Sequence, residues 1–108
     1  MPHSDLDLKL GFQAIQYAFS EGKAPISVYA QAYGAYKQAT LGDCVDPQPS
    51  VQDHTDVQNV LVKTLEWREW KNLSGQTQTQ AMSAFFAVKD RFDAPRKLNM
   101  VKSSTMHF

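Results

Sequence analysis

Residues 33–43 read YGAYKQATLGD. Two tyrosines stand three apart, a lysine follows the second, and a glycine closes the run. The stretch is the second half of a helical segment. Ser27 offers an N-cap at its start, and Leu41-Gly42 ends it with glycine in the C-cap role. Tyr29, Tyr33, Tyr36, Lys37 and Thr40 fall at i, i+4, i+7, i+8 and i+11, so they share one stripe. On the residues alone that stripe has two readings. Tyrosines can fill a small core and let their hydroxyls reach its edge while the lysine snorkels. Alternatively, an aromatic face stacks on a purine for ~1–3 kcal/mol, a phenol donates to phosphate, and the lysine adds a point charge.

Outward from this stretch the sequence predicts three more helices and no strand. The first runs over 6–19, with Leu8, Phe12, Ile15 and Phe19 at helical spacing, before Gly22 and Pro25 break it. Residues 44–54 carry two prolines and several turn formers, and read as a loop. Thr55 and Gln58 form a capping box that opens a third helix over 56–73. Its apolar face is not constant. Val57, Val60, Leu61 and Thr64 lie on one side, while Trp67, Trp70 and Leu73 lie more than a quarter-turn away. Gly75 stops that helix, and a second box, Thr77 with Gln80, starts the fourth. Ala81, Phe85, Val88 and Phe92 make its stripe, and Pro95 is expected to end it. The organisation read here is one all-α four-helix domain over 5–93 and a tail over 94–108 that is flexible or loosely docked.

Composition narrows the function. A chain of 108 residues fits one domain. Eleven basic and eleven acidic residues cancel, which argues against nucleic acid or an anionic membrane surface as the main partner. Cys44 is the one cysteine, so no internal disulfide forms, as suits a reducing compartment. The first ten residues, MPHSDLDLKL, lack the pattern of a signal peptide, and no apolar run reaches the ~18 residues of a bilayer span. A soluble, cytoplasmic protein with no stable membrane anchor is expected. His3, His54 and His107 stand far apart, at no metal-ligand spacing. There is no phosphate-cradling glycine loop and no Gly-x-Ser-x-Gly elbow. No nucleophile adjoins a base, so neither an enzyme, a metal site nor a cofactor is expected.

The run YxxYKQATxGD resembles the signature of the acyl-CoA-binding protein family. Downstream elements agree in order: Trp67, Trp70, Leu73 and Gly75 as W-x-x-W-x-x-L-x-G, then Ala81-Met82 and an aromatic at Phe85. The similarity covers about residues 27–92. The first helix fits in character, with Leu8 or Phe12 in the leading position. The resemblance implies an up-down-down-up four-helix bundle that shields the chain of a medium- or long-chain fatty acyl-CoA. It implies a non-enzymatic carrier and pool former that hands its ligand to acyl-CoA-using enzymes. The family's head-group and 3′-phosphate contacts carry over to Tyr33, Tyr36 and Lys37, and its two tryptophans are mainly core.

Three departures stand out. Glu66 replaces the lysine that usually precedes the first tryptophan. Phe85 replaces a tyrosine, so a hydroxyl is missing. The stretch between Asp43 and Trp67 is longer by roughly two helical turns. A carboxylate near a phosphate costs ~1 kcal/mol in water and ~4 kcal/mol at intermediate dielectric. Ten buried methylenes supply ~8 kcal/mol, so binding is expected to weaken or shift rather than vanish. Lys63 either pairs with Glu66 at i, i+3, reaches the phosphate itself, or is exposed without a role. The expected acyl-CoA contacts are Tyr33, Tyr36, Lys37, Phe85, Glu66, Lys63 and Ile15. The alternative is a helical interaction module of weakened or lost affinity, whose extra apolar face at 57–65 docks a partner or pairs two copies into a dimer.

Overall fold

The computed structural model describes the backbone of residues 4–50 and 57–105 and the side chains of 4–50 and 58–93. Among these residues there are four helices and no strand: α1 (Asp5–Ser20), α2 (Ile26–Leu41), α3 (Val57–Lys71) and α4 (Gln78–Thr105). At the start of α1, Asp7 N donates to Ser4 Oγ at 3.1 Å and Ser4 N donates to Asp7 Oδ2 at 3.0 Å, a reciprocal cap. α2 starts one residue before Ser27. Pro25 is its N-cap and makes no side-chain cap bond, and Ser27 lies exposed in the first turn. Proline's preset φ and missing N–H suit a helix start. Gly42 ends α2 at φ 84°, ψ −154°, backbone that a side chain rarely tolerates.

The Thr55–Gln58 box lies partly outside the described residues. The Thr77–Gln80 box forms as read, with Thr77 N donating to Gln80 Oε1 at 2.9 Å and Gln80 N to Thr77 Oγ1 at 3.1 Å. Pro95 does not end α4, which continues to Thr105. Proline removes one donor at a cost of ~3 kcal/mol in a helix interior, but Arg96, Lys97 and Leu98 after it are strong helix formers. The segment expected to be a loose tail is therefore helical up to Thr105.

The order of contacts gives the topology. Along α2 and α3, Tyr29 meets Glu66, Gly34 meets Glu69 and Trp70, and Gln38 reaches Gln76. Both numbers rise together, so these helices run parallel, as the connection over 42–56 permits. Phe12 stacks on Tyr36 and Phe19 on Tyr29, so α1 is antiparallel to α2. Gln31 accepts from Arg91 at 3.4 Å while Gln38 meets Gln76, so α4 is antiparallel to α2 as well. The result is the up-down-down-up bundle. α2 makes its most extensive contacts with α3 and α4.

The core holds Leu8, Phe12 and Ile15 of α1, Tyr29, Ala32, Ala35 and Ala39 of α2, and Ala81, Phe85 and Val88 of α4. Leu8 and Phe12 both face inward, so either could head the α1 stripe. Small residues along α2 let its neighbours approach closely. At Gly34 a Cβ would stand 2.6 Å from the Glu69 carbonyl carbon and 2.7 Å from Trp70 N. Of the extra apolar face of α3, Leu61 is 57% exposed, whereas Val62, which lies off that face, packs against the core.

The polar letters of the motif serve as a clasp. Gln38 is buried, and its Nε2 donates to Asp43 Oδ1 at 2.7 Å and to Gln76 O at 3.0 Å. Gly75 N also donates to Asp43 Oδ1, at 2.8 Å. The end of α2 is thereby tied to the α3–α4 turn. The Gly75 N–H bond, then the Gln38 amide, with Lys71 adding attraction, hold the Asp43 carboxyl below its ordinary value of 3.8. A depressed carboxyl stabilises the fold above its unfolded pKa, and that contribution is lost as pH falls through the folded value. Asp43→Asn keeps an acceptor and removes the titration. In urea unfolding between neutral pH and about pH 3, the variant should show a shallower acid loss of stability than the parent. An unchanged acid limb would count against the clasp.

Candidate functional site

A cleft of about 260 Å³ opens between α2, the 42–50 segment and α3, lined by Tyr33, Asp46, Pro47, Pro49, Lys63, Glu66, Trp67 and Trp70. Two indoles hold its loop wall. Trp67 Nε1 donates to Asp46 O at 2.8 Å, and Trp70 Nε1 to Gly42 O at 2.7 Å. Lys71 Nζ adds a bond to Cys44 O at 3.2 Å, and the Cys44 side chain is buried. A loop rich in proline has few donors of its own, so α3 supplies them.

Tyr33 forms one wall. Lys37 Nζ stands 5.5 Å from its ring centroid, in cation–π range. Tyr36 stacks on Phe12 at 4.4 Å between centroids, and Phe12 meets Tyr33 edge-on at 6.2 Å. A ladder of rings continues through Tyr29 to Phe19, stacked at 4.4 Å. Tyr33, Tyr36 and Lys37 are thus gathered on one half-buried face, and the face is backed by aromatic carbon. Burial first, then the nearby Glu66 and Asp46 carboxylates, push the Tyr33 phenol up from 10.0.

Glu66 departs from expectation. It does not stand at the rim facing a phosphate. It is 4% exposed, and its Oε2 accepts from Tyr29 Oη at 2.5 Å. Lys63 Nζ lies 3.4 Å from Oε1, so of the three options for Lys63 the structure shows the pair with Glu66; that lysine's side chain is 52% exposed. Burial, then the bond to Glu66, raise the Tyr29 phenol far above its usual range.

Phe85 and Ile15 are both 0% exposed and line no part of the cleft. Phe85 packs on Gly11 of α1 and edge-on to Phe86 at 5.0 Å. Glycine at 11 brings α1 close to the Phe85 ring, and both residues are packed in the core. Trp70 is buried as expected, but Trp67 is a half-buried cleft wall. Sequence reading missed Trp67 in this role, along with Asp46, Pro47 and Pro49. Only their composition as a turn was legible. Among the described residues no cluster of metal-ligating side chains occurs, and no helix is long and apolar enough to cross a membrane.

The geometry defines a small helical bundle presenting an aromatic-walled cleft with a lysine beside it. The family model described as acyl CoA binding protein matches residues 11–88. The chain belongs to the acyl-CoA-binding protein family. It is 31% identical over 64 residues to the acyl-CoA-binding protein of Saccharomyces cerevisiae, which covers 59% of this chain and 66% of that one. It is 34% identical over 61 residues to human acyl-CoA-binding domain-containing protein 6, covering 56% of this chain and 19% of that one. Acyl-CoA-binding domain-containing protein 2 of Arabidopsis thaliana is 33% identical over 66 residues, 61% of this chain and 17% of that one. The chain therefore spans a fifth or less of these two longer relatives. No solved structure matches it significantly.

Proposed function

We propose that the chain binds medium- or long-chain fatty acyl-CoA esters and serves as a non-enzymatic carrier that hands them to acyl-CoA-using enzymes. The observation carrying this is the convergence of Tyr33, Tyr36 and Lys37 beside the cleft and on the ring ladder. The lysine meets head-group phosphate as a point charge, and the rings offer flat surface to the nucleotide. The acyl chain lies against the half-buried ends of the ladder, Tyr36 and Phe19. Each methylene buried there contributes ~0.8 kcal/mol, so chain length dominates affinity.

Calorimetry with palmitoyl-CoA against free CoA tests the reading. Affinity should rise with chain length, and the absence of binding to any acyl-CoA would end it. Tyr33→Ala should weaken palmitoyl-CoA by ~1–3 kcal/mol, the worth of one stacked base. Lys37→Ala should weaken it as well, with the loss fading at high salt as charge is screened. The second reading, an interaction module of low affinity, is favoured by Leu61, 57% exposed on the outer face of α3. A ligand-independent dimer in light scattering, lost on Leu61→Ser, would support it.

A further inference from the structure

We propose that Glu66 reads the base of the bound nucleotide: its Oε1 accepts a hydrogen bond from the exocyclic amine of an adenine ring held in the cleft. This rests on the acyl-CoA reading and specifies which part of the ligand the cleft receives.

The carboxylate has one oxygen engaged and one in want of a donor. Oε2 is taken by Tyr29. Oε1 is buried and has no hydrogen bond. Lys63 faces it at 3.4 Å as an ion-pair partner, from a side chain half in solvent. A carboxylate oxygen accepts more than one hydrogen bond, and a buried acceptor left unmade is costly. Oε1 is already closed to water, and an acyl tail in this cleft would offer it no donor. A phosphate would bring acceptors and like charge against Glu66 and Asp46, and the lysine lining the cleft, Lys63, is already paired with Glu66. A donor-bearing group supplies the hydrogen bond that Oε1 lacks beside its ion pair with Lys63.

The walls select the shape of that group. Tyr33 and Trp67 present rings, and Pro47 and Pro49 present flat apolar edges. Bases are gripped this way, by stacking between aromatic or apolar side chains. Carboxylates take the exocyclic amines of bases as hydrogen-bond donors. Among the parts of an acyl-CoA, adenine alone is flat, aromatic and carries such an amine. The phosphates then fall to Lys37, which stands off the Tyr33 ring outside the cleft lining.

The full chain is titrated with palmitoyl-CoA and with the palmitoyl ester of the CoA analogue carrying hypoxanthine, whose carbonyl oxygen replaces the amine. The adenine ester should bind about tenfold or more tightly. In Glu66→Gln, whose amide can present either an oxygen or an NH₂ group, the two esters should bind within about threefold of each other. Equal binding of both esters by the parent chain overturns the assignment and leaves the acyl-CoA reading standing. A preference that survives Glu66→Gln undiminished overturns the role of Glu66. Failure of the parent chain to bind either ester overturns the acyl-CoA reading itself. Should the variant not fold, the comparison of the two esters on the parent chain decides alone.

Discussion

Glu66→Lys should cost about 3–5 kcal/mol of stability, the usual consequence of breaking a buried charge interaction from one side. The substitution restores the residue that the family resemblance expects, so a gain in ligand affinity is the intuitive forecast. For stability the structure argues a loss. Position 66 is 4% exposed, and its carboxylate accepts from Tyr29 Oη and faces Lys63 Nζ at 3.4 Å. A lysine there would leave the Tyr29 hydroxyl, buried in the ring ladder, without its acceptor. It would also set two ammonium groups one helical turn apart, one of them desolvated. Urea unfolding of the parent and variant chains reads the loss directly. A variant as stable as the parent would show that the Tyr29–Glu66–Lys63 arrangement contributes little.

Gly34→Ala should cost about 2–3 kcal/mol, lowering the melting temperature by roughly 10 °C or more in a domain of this size. Alanine is the better helix former by about 1 kcal/mol, so propensity alone predicts stabilisation. The tertiary contact decides otherwise. The new Cβ would meet the Glu69 carbonyl carbon at 2.6 Å, Trp70 N at 2.7 Å and Glu69 O at 2.8 Å. All three are backbone atoms of α3, with no rotamer to yield, so α2 and α3 must move apart. Their separation would widen the cleft that Tyr33 and Trp67 share, so palmitoyl-CoA binding should fall alongside the melting temperature. Calorimetric melting that shows a gain in stability would refute the backbone-on-backbone crossing. Gly11→Ala is a milder control, because its Cβ meets the Phe85 ring at 3.0 Å, and a ring edge can shift.

Much of this was legible beforehand for a simple reason. Helical periodicity is a local property, and the stripes Leu8-Phe12-Ile15 and Ala81-Phe85-Val88 turned inward as their spacing requires. The Thr77–Gln80 cap formed because both partners lie within one turn. Differences fell where one local rule competes with another, or with a long-range contact. Ser27 is a good cap by type, yet Pro25 fits the chain's entry to α2. Pro95 reads as a stop, yet the residues after it keep α4 helical. At Phe85 the motif alone does not tell core from rim, and the close approach of Gly11 buries the ring.

By itself, then, the order of residues determined a four-helix bundle of this family and the grouping of Tyr33, Tyr36 and Lys37, since side chains three and four apart on a helix must share a face. Tertiary structure alone decided what surrounds them. Whether Glu66 meets a phosphate or the Tyr29 hydroxyl depends on how parallel α2 and α3 are set against each other. That setting is made at Gly34, where backbone touches backbone. The indole of Trp67 became a cleft wall because Asp46, far away in sequence, offers its carbonyl there. Such pairings arise from packing between segments, and no periodicity within one segment encodes them.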